Sequence, residues 1–233
     1  MSSCPAEFAC ADHPKHVEQT YRHIALRVPE VMHTCPGFEI AGHHIRSLVF
    51  STDVAVVCHC DADAVLAVYP FPSHPIVNNA LIMASERPVF VGVGGGVTVG
   101  ERSVELASHA EMQGVFAVVL NAVASVDTVR AVAARIDVPV VVTVCEWDDA
   151  ARARIAAGAS IVNVAAGHAT PEVVARVRAE FPDIALMASS GHTEESAATT
   201  IAAGADALSW TPPNIQDIER ALMRKNREHA RQA

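Results

Sequence analysis

The chain has 233 residues, of which 51% are hydrophobic and 18% are charged. This length fits one α/β barrel better than two small domains, and so apolar a composition excludes an intrinsically disordered chain. The 17 Lys and Arg residues stand against 26 Asp and Glu residues, which gives a formal net charge of −9 at pH 7. Without a basic tract, this balance argues against nucleic acid as a partner, because such binding depends on clustered positive charge.

Three features of the sequence predict the compartment. No apolar run approaches the roughly 18 residues that a membrane span needs. The first residues show no basic cluster followed by an apolar core, as a secretory signal would. Six cysteines are too few for a disulfide scaffold in a chain of this length. We therefore expect a cytoplasmic protein with reduced thiols and no membrane partner.

The start of the chain is predicted to be an N-terminal extension over residues 1–45. A helix over residues 16–32 is expected to pack on the bottom of the domain that follows, which takes residues 46–233. This extension is rich in His and Cys, and its role is not evident from the sequence.

Two apolar runs open the domain, at Val54–Val57 and Val65–Tyr69, and Asn78–Ser85 is predicted to be a helix. Both runs are interpreted as strands. Only about seven residues separate them, whereas a parallel crossover needs roughly a dozen. The first unit is therefore degenerate, or its strand begins earlier, near Ser47-Leu48-Val49-Phe50.

From residue 88 onward, an apolar run, a polar break and an amphipathic stretch repeat six times. The runs are Val89–Val93, Val115–Leu120, Val140–Val144, Ser160–Val164, Ile184–Ala188 and Ala205–Trp210. Runs of Val and Ile without polar alternation are typical of parallel strands that are covered on both faces. Eight strands predict a (β/α)8 TIM barrel. A doubly wound sheet is the alternative, but it rarely has eight regular parallel units.

In such a barrel, the active site lies at the carboxyl ends of the strands. Gly94, Gly95 and Gly96 follow a predicted strand, and their backbone amides could approach an anion. Arg102, in the same unit, could add positive charge. The Ser189-Ser190-Gly191-His192 segment ends the seventh predicted strand and leads into a helix N-terminus, where these barrels often bind phosphate.

Asn121 and Asn163 end strands that are otherwise apolar. An amide in such a place has a desolvation cost unless it forms hydrogen bonds, so we expect both side chains to bind substrate. Trp210, at the end of the last predicted strand, completes the predicted substrate-binding set. Its ring could also lie in an interface.

The candidates for acid–base catalysis are Asp61, His74, Glu146 and His168. Histidine is the usual proton shuttle near neutral pH, which favours the two histidines. Glu146 precedes Trp147, whose ring could shield a carboxyl group that acts as a general acid.

Metal, nucleotide and Schiff-base chemistry find little support in the sequence. Cys58 and Cys60 would share one face of a predicted strand, with His59 opposite, but this spacing matches no closed zinc pair, so no metal is predicted. No P-loop, G-x-S-x-G or H-E-x-x-H motif is present. The two lysines are Lys15 and Lys225, which excludes a Schiff-base aldolase unless one of them reaches the mouth.

Several features of residues 139–213 are shared with known barrels. They are Thr170-Pro171-Glu172, Phe181-Pro182, Gly191 and two Ala-Gly-Ala turns. In these features the block resembles the aldolase-type barrels, and among them the 2-keto-3-deoxy-6-phosphogluconate aldolases. Those enzymes hold phosphate in a glycine-rich loop after the seventh strand and use a strand lysine. Here that lysine is absent, so the resemblance implies the fold without the mechanism.

A second set of segments extends the resemblance over residues 53–213. The segments are Asp53-Val54-Ala55-Val56-Val57, His74-Pro75-Ile76, Pro88–Gly96, His109-Ala110-Glu111, Thr193-Glu194-Glu195-Ser196 and Thr211-Pro212-Pro213. They resemble a bacterial barrel family of little-known function whose members often carry only the label "hydrolase". That family has Thr-Gly-Gly where this chain has Ser189-Ser190-Gly191. The resemblance implies the barrel and adds little about the reaction.

The sequence thus predicts an enzyme that acts on a small anionic metabolite, phosphorylated or carboxylated, by acid–base chemistry without a Schiff base. A lyase, an isomerase or epimerase, and a hydrolase all stay open. No cofactor is predicted, although a flavin or a divalent metal remains an alternative. A flavin-binding oxidoreductase and a non-catalytic scaffold are the competing functions, and a homo-oligomer is left open.

Overall fold

The structure is a computed structural model that describes residues 26–232. Its ten strands are β1 (Phe38–Ile40), β2 (His43–Ile45), β3 (Ser47–Phe50), β4 (Ala64–Ala67), β5 (Val89–Gly94), β6 (Ala117–Leu120), β7 (Val140–Val144), β8 (Ile161–Val164), β9 (Ala185–Ser189) and β10 (Ala207–Trp210). The eight α-helices in the same range are α1 (Val54–His59), α2 (Pro75–Ala84), α3 (Glu101–Met112), α4 (Val126–Ala133), α5 (Asp149–Ala156), α6 (Thr170–Glu180), α7 (Glu194–Ala202) and α8 (Ile215–Gln232). Short 3-10 helices occupy Glu30–Thr34 and Gly167–Ala169.

The strands β3 to β10 form a closed parallel barrel, in which β10 pairs with both β9 and β3. The predicted (β/α)8 barrel is therefore confirmed. All six apolar runs from residue 88 onward are strands, with ends within two residues of those predicted. None of the helices in residues 26–232 combines the length and the apolar character that crossing a bilayer would require.

The structure decides between the two alternatives for the first barrel strand in favour of the earlier one, at Ser47–Phe50. The run Val54–Val57 is part of helix α1 and not a strand, and β3 supplies the strand instead. The Asp53 side chain accepts a hydrogen bond from the Val56 amide at 3.1 Å, which caps the helix. Val54 is 46% exposed, which a strand covered on both faces would not allow. Local capping and one-sided burial thus override the β preference of three valines.

A β-hairpin closes the amino-terminal end of the barrel. Strands β1 and β2 pair in antiparallel fashion, and Ile40 and Ile45 pack into the core inside the barrel. The predicted helix over residues 16–32 lies outside the described residues up to residue 25. In its described part, Leu26 pairs with Cys60 and a 3-10 helix follows at Glu30–Thr34, so this part is not a continuous α-helix.

Two apolar layers hold the barrel together. The outer layer lies between strands and helices and includes Val129, Val174 and Val177. The inner layer fills the lower half of the barrel with side chains from each strand. It includes Leu48, Leu66, Phe90, Val119, Val141, Ile161, Met187 and Ala207. Because these side chains fill the interior, any cavity must lie above them, at the carboxyl ends of the strands.

Arg178 of α6 connects several backbone segments at the lower end of the barrel. Its guanidinium donates to the carbonyl oxygens of Pro182, Ile184 and Gly204 at 2.7–3.1 Å and to Asp206 Oδ2 at 2.7 Å. The same Asp206 oxygen accepts from the Leu186 amide at 2.8 Å. The Arg178 and Asp206 side chains are only 24% and 22% exposed. This cluster ties α6 to the starts of β9 and β10.

Burial of the Cys35 thiol predicts a loss of stability at alkaline pH. Cys35 is a free thiol that is 4% exposed, and burial raises its pKa from 9.0 to about 11. Between these values the unfolded chain has released the proton while the folded chain keeps it, so stability falls as pH rises. We expect this thiol to account for about 2 kcal/mol of the loss between pH 9 and pH 11.

Urea unfolding at several pH values checks this prediction. The Cys35→Ala variant should lose less stability over the same pH range than the wild type. Cys58→Ala, at an exposed thiol, is the matched control and should keep the wild-type pH dependence. Equal pH dependence in Cys35→Ala and the wild type would contradict the prediction.

Candidate functional site

A cavity of about 680 Å³ opens at the carboxyl ends of the barrel strands. Its lining consists mainly of hydroxyl, amide and apolar groups and contains two histidines. The lining residues are Phe50, Leu66, Val68, Asn121, Thr143, Asn163, Ala165, Gly167, His168, Thr170, Pro171, Ser189, Ser190, Gly191, His192, Thr193, Ser196, Thr200, Ser209 and Thr211. No lysine, arginine, aspartate or glutamate of the described residues is among them.

Five neighbouring strands change from apolar to polar at the floor of this cavity. Alternate residues share a strand face, so the residue two positions after an inner-layer side chain also faces the barrel interior. On each of β6 to β10, this residue lines the cavity and is polar. These polar residues are Asn121, Thr143, Asn163, Ser189 and Ser209. On β3 and β4 the cavity residues Phe50, Leu66 and Val68 remain apolar.

Asn163 is the most buried amide of the cavity. Its side-chain Nδ2 donates to Thr143 Oγ1 at 3.3 Å, and the residue is 7% exposed. Its Oδ1 is buried and has no hydrogen-bond partner among residues 26–232. A buried acceptor without a partner has a desolvation cost, which a ligand that donates to it would offset.

The turn between β9 and α7 brings backbone donors to the cavity. Ser196 and Thr193 form a capping box at the start of α7, with mutual hydrogen bonds of 3.1 and 3.3 Å. Ser196 Oγ also donates to the Ser190 carbonyl at 3.0 Å. Within the described chain, the amides of Gly191 and His192 donate to no other group. Two free donors therefore lie at the positive end of a helix.

Gly191 is required for the shape of this turn. Its φ angle is +73°, and a Cβ atom built on it would lie 2.3 Å from Ser196 Oγ. A side chain would be strained by the backbone conformation and would displace the capping serine. The sequence thus places glycine where the backbone approaches both the helix cap and the cavity.

A second helix begins at the same cavity. Thr170 and Pro171 form the first turn of α6 and line the cavity, as do Gly167 and His168 of the preceding 3-10 helix. Thr170 Oγ1 accepts from the Ala166 amide at 3.1 Å, which fixes the entry into the helix. Two helix N-termini thus face one cavity whose lining has no carboxylate in the described residues. Glu172, Glu194 and Glu195 also lie in these first turns but do not line the cavity, so the main-chain amides that face it are the groups that favour an anion.

Arg154 fixes the strand ends from outside the barrel. It is 6% exposed, and its guanidinium donates to the carbonyl oxygens of Thr143 (3.2 Å), Ala150 (3.3 Å) and Ala122. Burial lowers the pKa of Arg154. Because it bonds carbonyls that follow β6 and lie in β7, Arg154 helps to position the segments that carry Asn121 and Thr143.

The structure brings seven of the predicted site residues to the cavity. They are Asn121, Asn163, His168, Ser189, Ser190, Gly191 and His192. Gly94 and Gly95 line a separate recess of about 20 Å³, which also contacts Asn121. Gly96 lines neither space, so the predicted glycine loop contributes to the rim and not to the main cavity.

Besides these three glycines, five predicted residues do not line the cavity. Asp61 lies before β4, at the opposite end of the barrel, where it accepts from the Val28 amide at 2.8 Å. His74 is exposed and caps helix α2, and Arg102 is exposed on α3. Glu146 is exposed, while Trp210 packs against the outer core. Strand-end placement in the sequence does not reveal which side chains turn away from the axis.

The interpretations of Trp147 and of the Cys58 and Cys60 pair also need correction. Trp147 packs edge-to-face on Phe181 at 6.0 Å and under Arg152 at 4.8 Å, so its ring does not shield Glu146 in the cavity. Cys58 and Cys60 belong to the end of α1 and not to a strand, so they do not share a strand face. No group of three potential metal ligands occurs in the portion of the chain that the structure describes.

Thirteen of the twenty lining residues were not among the predicted site residues. Thr143, Thr170, Ser196, Thr200, Ser209 and Thr211 contribute hydroxyl groups, and Phe50, Leu66 and Val68 form an apolar side. The alternation along each strand would have found Thr143 and Ser209. Thr143 interrupts a run of valines at the position level with Asn163.

Comparisons with known proteins identify the fold. No protein-family model matches the chain, and no curated protein matches it in sequence. The phosphoenolpyruvate phosphomutase of Streptomyces platensis subsp. rosaceus is similar in structure, with a TM-score of 0.60, 16% identity and coverage of 80% of this chain and 83% of that one. A phosphonopyruvate hydrolase in complex with oxalate and Mg²⁺ gives a TM-score of 0.61 at 12% identity, covering 82% and 83%. An aldolase gives 0.54 at 18% identity, covering 80% and 97%. The similarity to an aldolase agrees with the aldolase-type barrel expected from the sequence.

Proposed function

We propose that this barrel is an enzyme that binds a small anionic metabolite, phosphorylated or carboxylated, at its mouth. The observation that carries the proposal is the pairing of two helix N-termini, with the free amides of Gly191 and His192, around one cavity without carboxylates in the described chain. An anion there gains hydrogen bonds and a favourable helix field. The unpartnered Oδ1 of Asn163 would accept a hydrogen bond from another part of the same molecule.

His168 is the proposed proton-transfer residue. His168 and His192 are the histidines that line the cavity, and no other strongly acidic or basic side chain of residues 26–232 joins them. An imidazole can both give and take a proton near neutral pH, as an isomerase, a lyase or a hydrolase requires. His192 is adjacent to the free amides and is assigned to substrate binding. No lysine of residues 26–232 lines the cavity, so no Schiff base is proposed.

Magnesium does not fit the lining that this chain presents. The similar phosphonopyruvate hydrolase was crystallised with oxalate and Mg²⁺. That complex shows that a protein with a similar barrel binds oxalate, a small dicarboxylate. Mg²⁺, however, is usually bound through one or two carboxylates, and the described lining here offers none. We therefore propose acid–base chemistry in which no step passes through a metal.

A thermal-shift titration tests anion binding. The ligands are phosphate, sulfate, oxalate and pairs of phosphorylated and neutral metabolites, at constant ionic strength. An anion at 100 times its Kd should add about 2.7 kcal/mol to the free energy of unfolding. A neutral partner of each pair should add little. A flat response to every anion would overturn the proposal.

Two matched variants locate the bound anion. The His192→Glu change places a negative charge beside the free amides, and we expect it to weaken anion binding about tenfold. His109→Glu, at an exposed position on α3, is the control and should bind anions as the wild type does. Equal weakening in both variants would point to a general charge effect and against this site.

A further inference from the structure

We propose that the ligand of this cavity is amphipathic, with an anionic group at the starts of α6 and α7 and an apolar group against β3 and β4. The anionic half rests on the proposed function. The apolar half rests on a separate feature, the side of the cavity formed by Phe50, Leu66 and Val68, which we call the apolar wall.

The apolar wall is continuous because its strands are adjacent. Phe50 and Leu66 are register partners in the β3–β4 pair, and Val68 follows Leu66 on the same face. Phe50 is 38% exposed, an unusual state for a phenylalanine at the end of a barrel strand. The cavity thus holds apolar surface that water covers until a ligand displaces it, and its burial would favour binding.

The polar residues of the cavity lie on the other strands. The hydroxyl and amide groups come from β6 to β10, which follow one another around the barrel, and from α6, α7 and the turns before them, whereas β3 and β4 contribute the apolar wall. A sugar phosphate carries hydroxyl groups along its whole length and would place some of them on the wall without partners. A molecule with one polar end and one apolar end forms hydrogen bonds on the polar side of the cavity and leaves no polar group without a partner on the apolar wall.

The size of the cavity agrees with such a molecule. Its volume of about 680 Å³ is well within the range of roughly 300–1,000 Å³ typical of pockets for drug-sized ligands. The buried Oδ1 of Asn163 lies on β8, the strand that leads into α6, on the floor of the cavity. We therefore expect an acid with an aliphatic or aromatic body that also carries one hydrogen-bond donor.

The test uses two homologous series with one head group each, the straight-chain carboxylates from acetate to octanoate and the corresponding monoalkyl phosphates. Binding is measured by isothermal titration calorimetry on the full chain. Each methylene that leaves water for the apolar wall should tighten binding about fourfold, until the wall is covered. The dependence of affinity on chain length is evaluated in the series whose head group binds more tightly in the anion titration.

Phe50→Ala should reduce this gain to below twofold per methylene and leave the affinity for the shortest member unchanged. Met83→Ala, at an exposed position on α2, is the control and should keep the full chain-length dependence. Circular dichroism confirms that both variants are folded.

The possible results separate the two proposals. Equal affinity along a series that does bind would overturn the amphipathic ligand and leave the anion site intact. Binding of octanol as tight as that of octanoate and octyl phosphate would overturn the anionic half and, with it, the proposed function. A steep slope that persists in Phe50→Ala would place the apolar group elsewhere and overturn the assignment to this wall.

Discussion

Replacing Arg178 by methionine should lower the free energy of unfolding by about 3 kcal/mol, because charged hydrogen bonds to main-chain carbonyls are lost together with a partly buried ion pair. Methionine keeps much of the aliphatic volume but cannot donate. The carbonyls of Pro182, Ile184 and Gly204 lose their guanidinium donor, and Asp206 loses its cation. For a domain of this size, the loss corresponds to a Tm about 6–12 °C lower in calorimetry.

Arg176→Met provides the control on the same helix. Arg176 pairs with Glu172 at 2.6 Å, but the two side chains are 57% and 65% exposed. Surface pairs of this kind contribute about 0–1 kcal/mol. A similar loss in both variants would show that the helix, and not the cluster around Asp206, is sensitive to the change.

Replacing His168 by glutamine should reduce turnover by a factor of about 10² to 10⁴, the usual contribution of a positioned acid or base. Glutamine retains a polar side chain at the 3-10 helix Gly167–Ala169 but cannot transfer a proton near neutral pH. The substrate is the anionic ligand identified by the titration and its turnover is followed directly. Because the helix N-termini and Asn163 are unchanged, the Kd of that ligand should change by less than threefold.

The control for this variant is His109→Gln, at the exposed end of α3. It should retain both turnover and binding. Full activity in His168→Gln would contradict the assignment. Loss of binding together with turnover would indicate that His168 holds the substrate and does not transfer the proton.

The barrel strands could be predicted from the sequence where both faces of a strand are buried. Runs such as Ala117–Leu120 are apolar without interruption because helices cover one face and the barrel interior covers the other. Val54–Val57 has the same composition but is covered on one side, and a single capping aspartate makes it a helix. Composition alone does not distinguish these two environments. The bottom hairpin was missed because its strands have only three residues each.

The site was predictable where a polar residue interrupts an apolar strand. Asn121 and Asn163 were found in this way, and His168 and Ser190 followed from the position of strand ends. Glu146, His74 and Trp210 were predicted from strand-end placement, but they do not line the cavity. A loop side chain can point toward the axis or away from it, and this direction depends on neighbours such as Phe181 that are distant in sequence.

The turn at Gly191 restricts how this binding site can change in evolution. In our proposal the anion is held by main-chain amides, which every amino acid except proline supplies, so most substitutions around the mouth leave these donors in place. The glycine codon is the exception, because any Cβ would collide with the serine that caps α7. The body of the ligand, by contrast, meets side chains such as Phe50 and Thr143. Descendants of this gene could therefore acquire new substrates through many independent mutations while one conserved turn continues to hold the acid group.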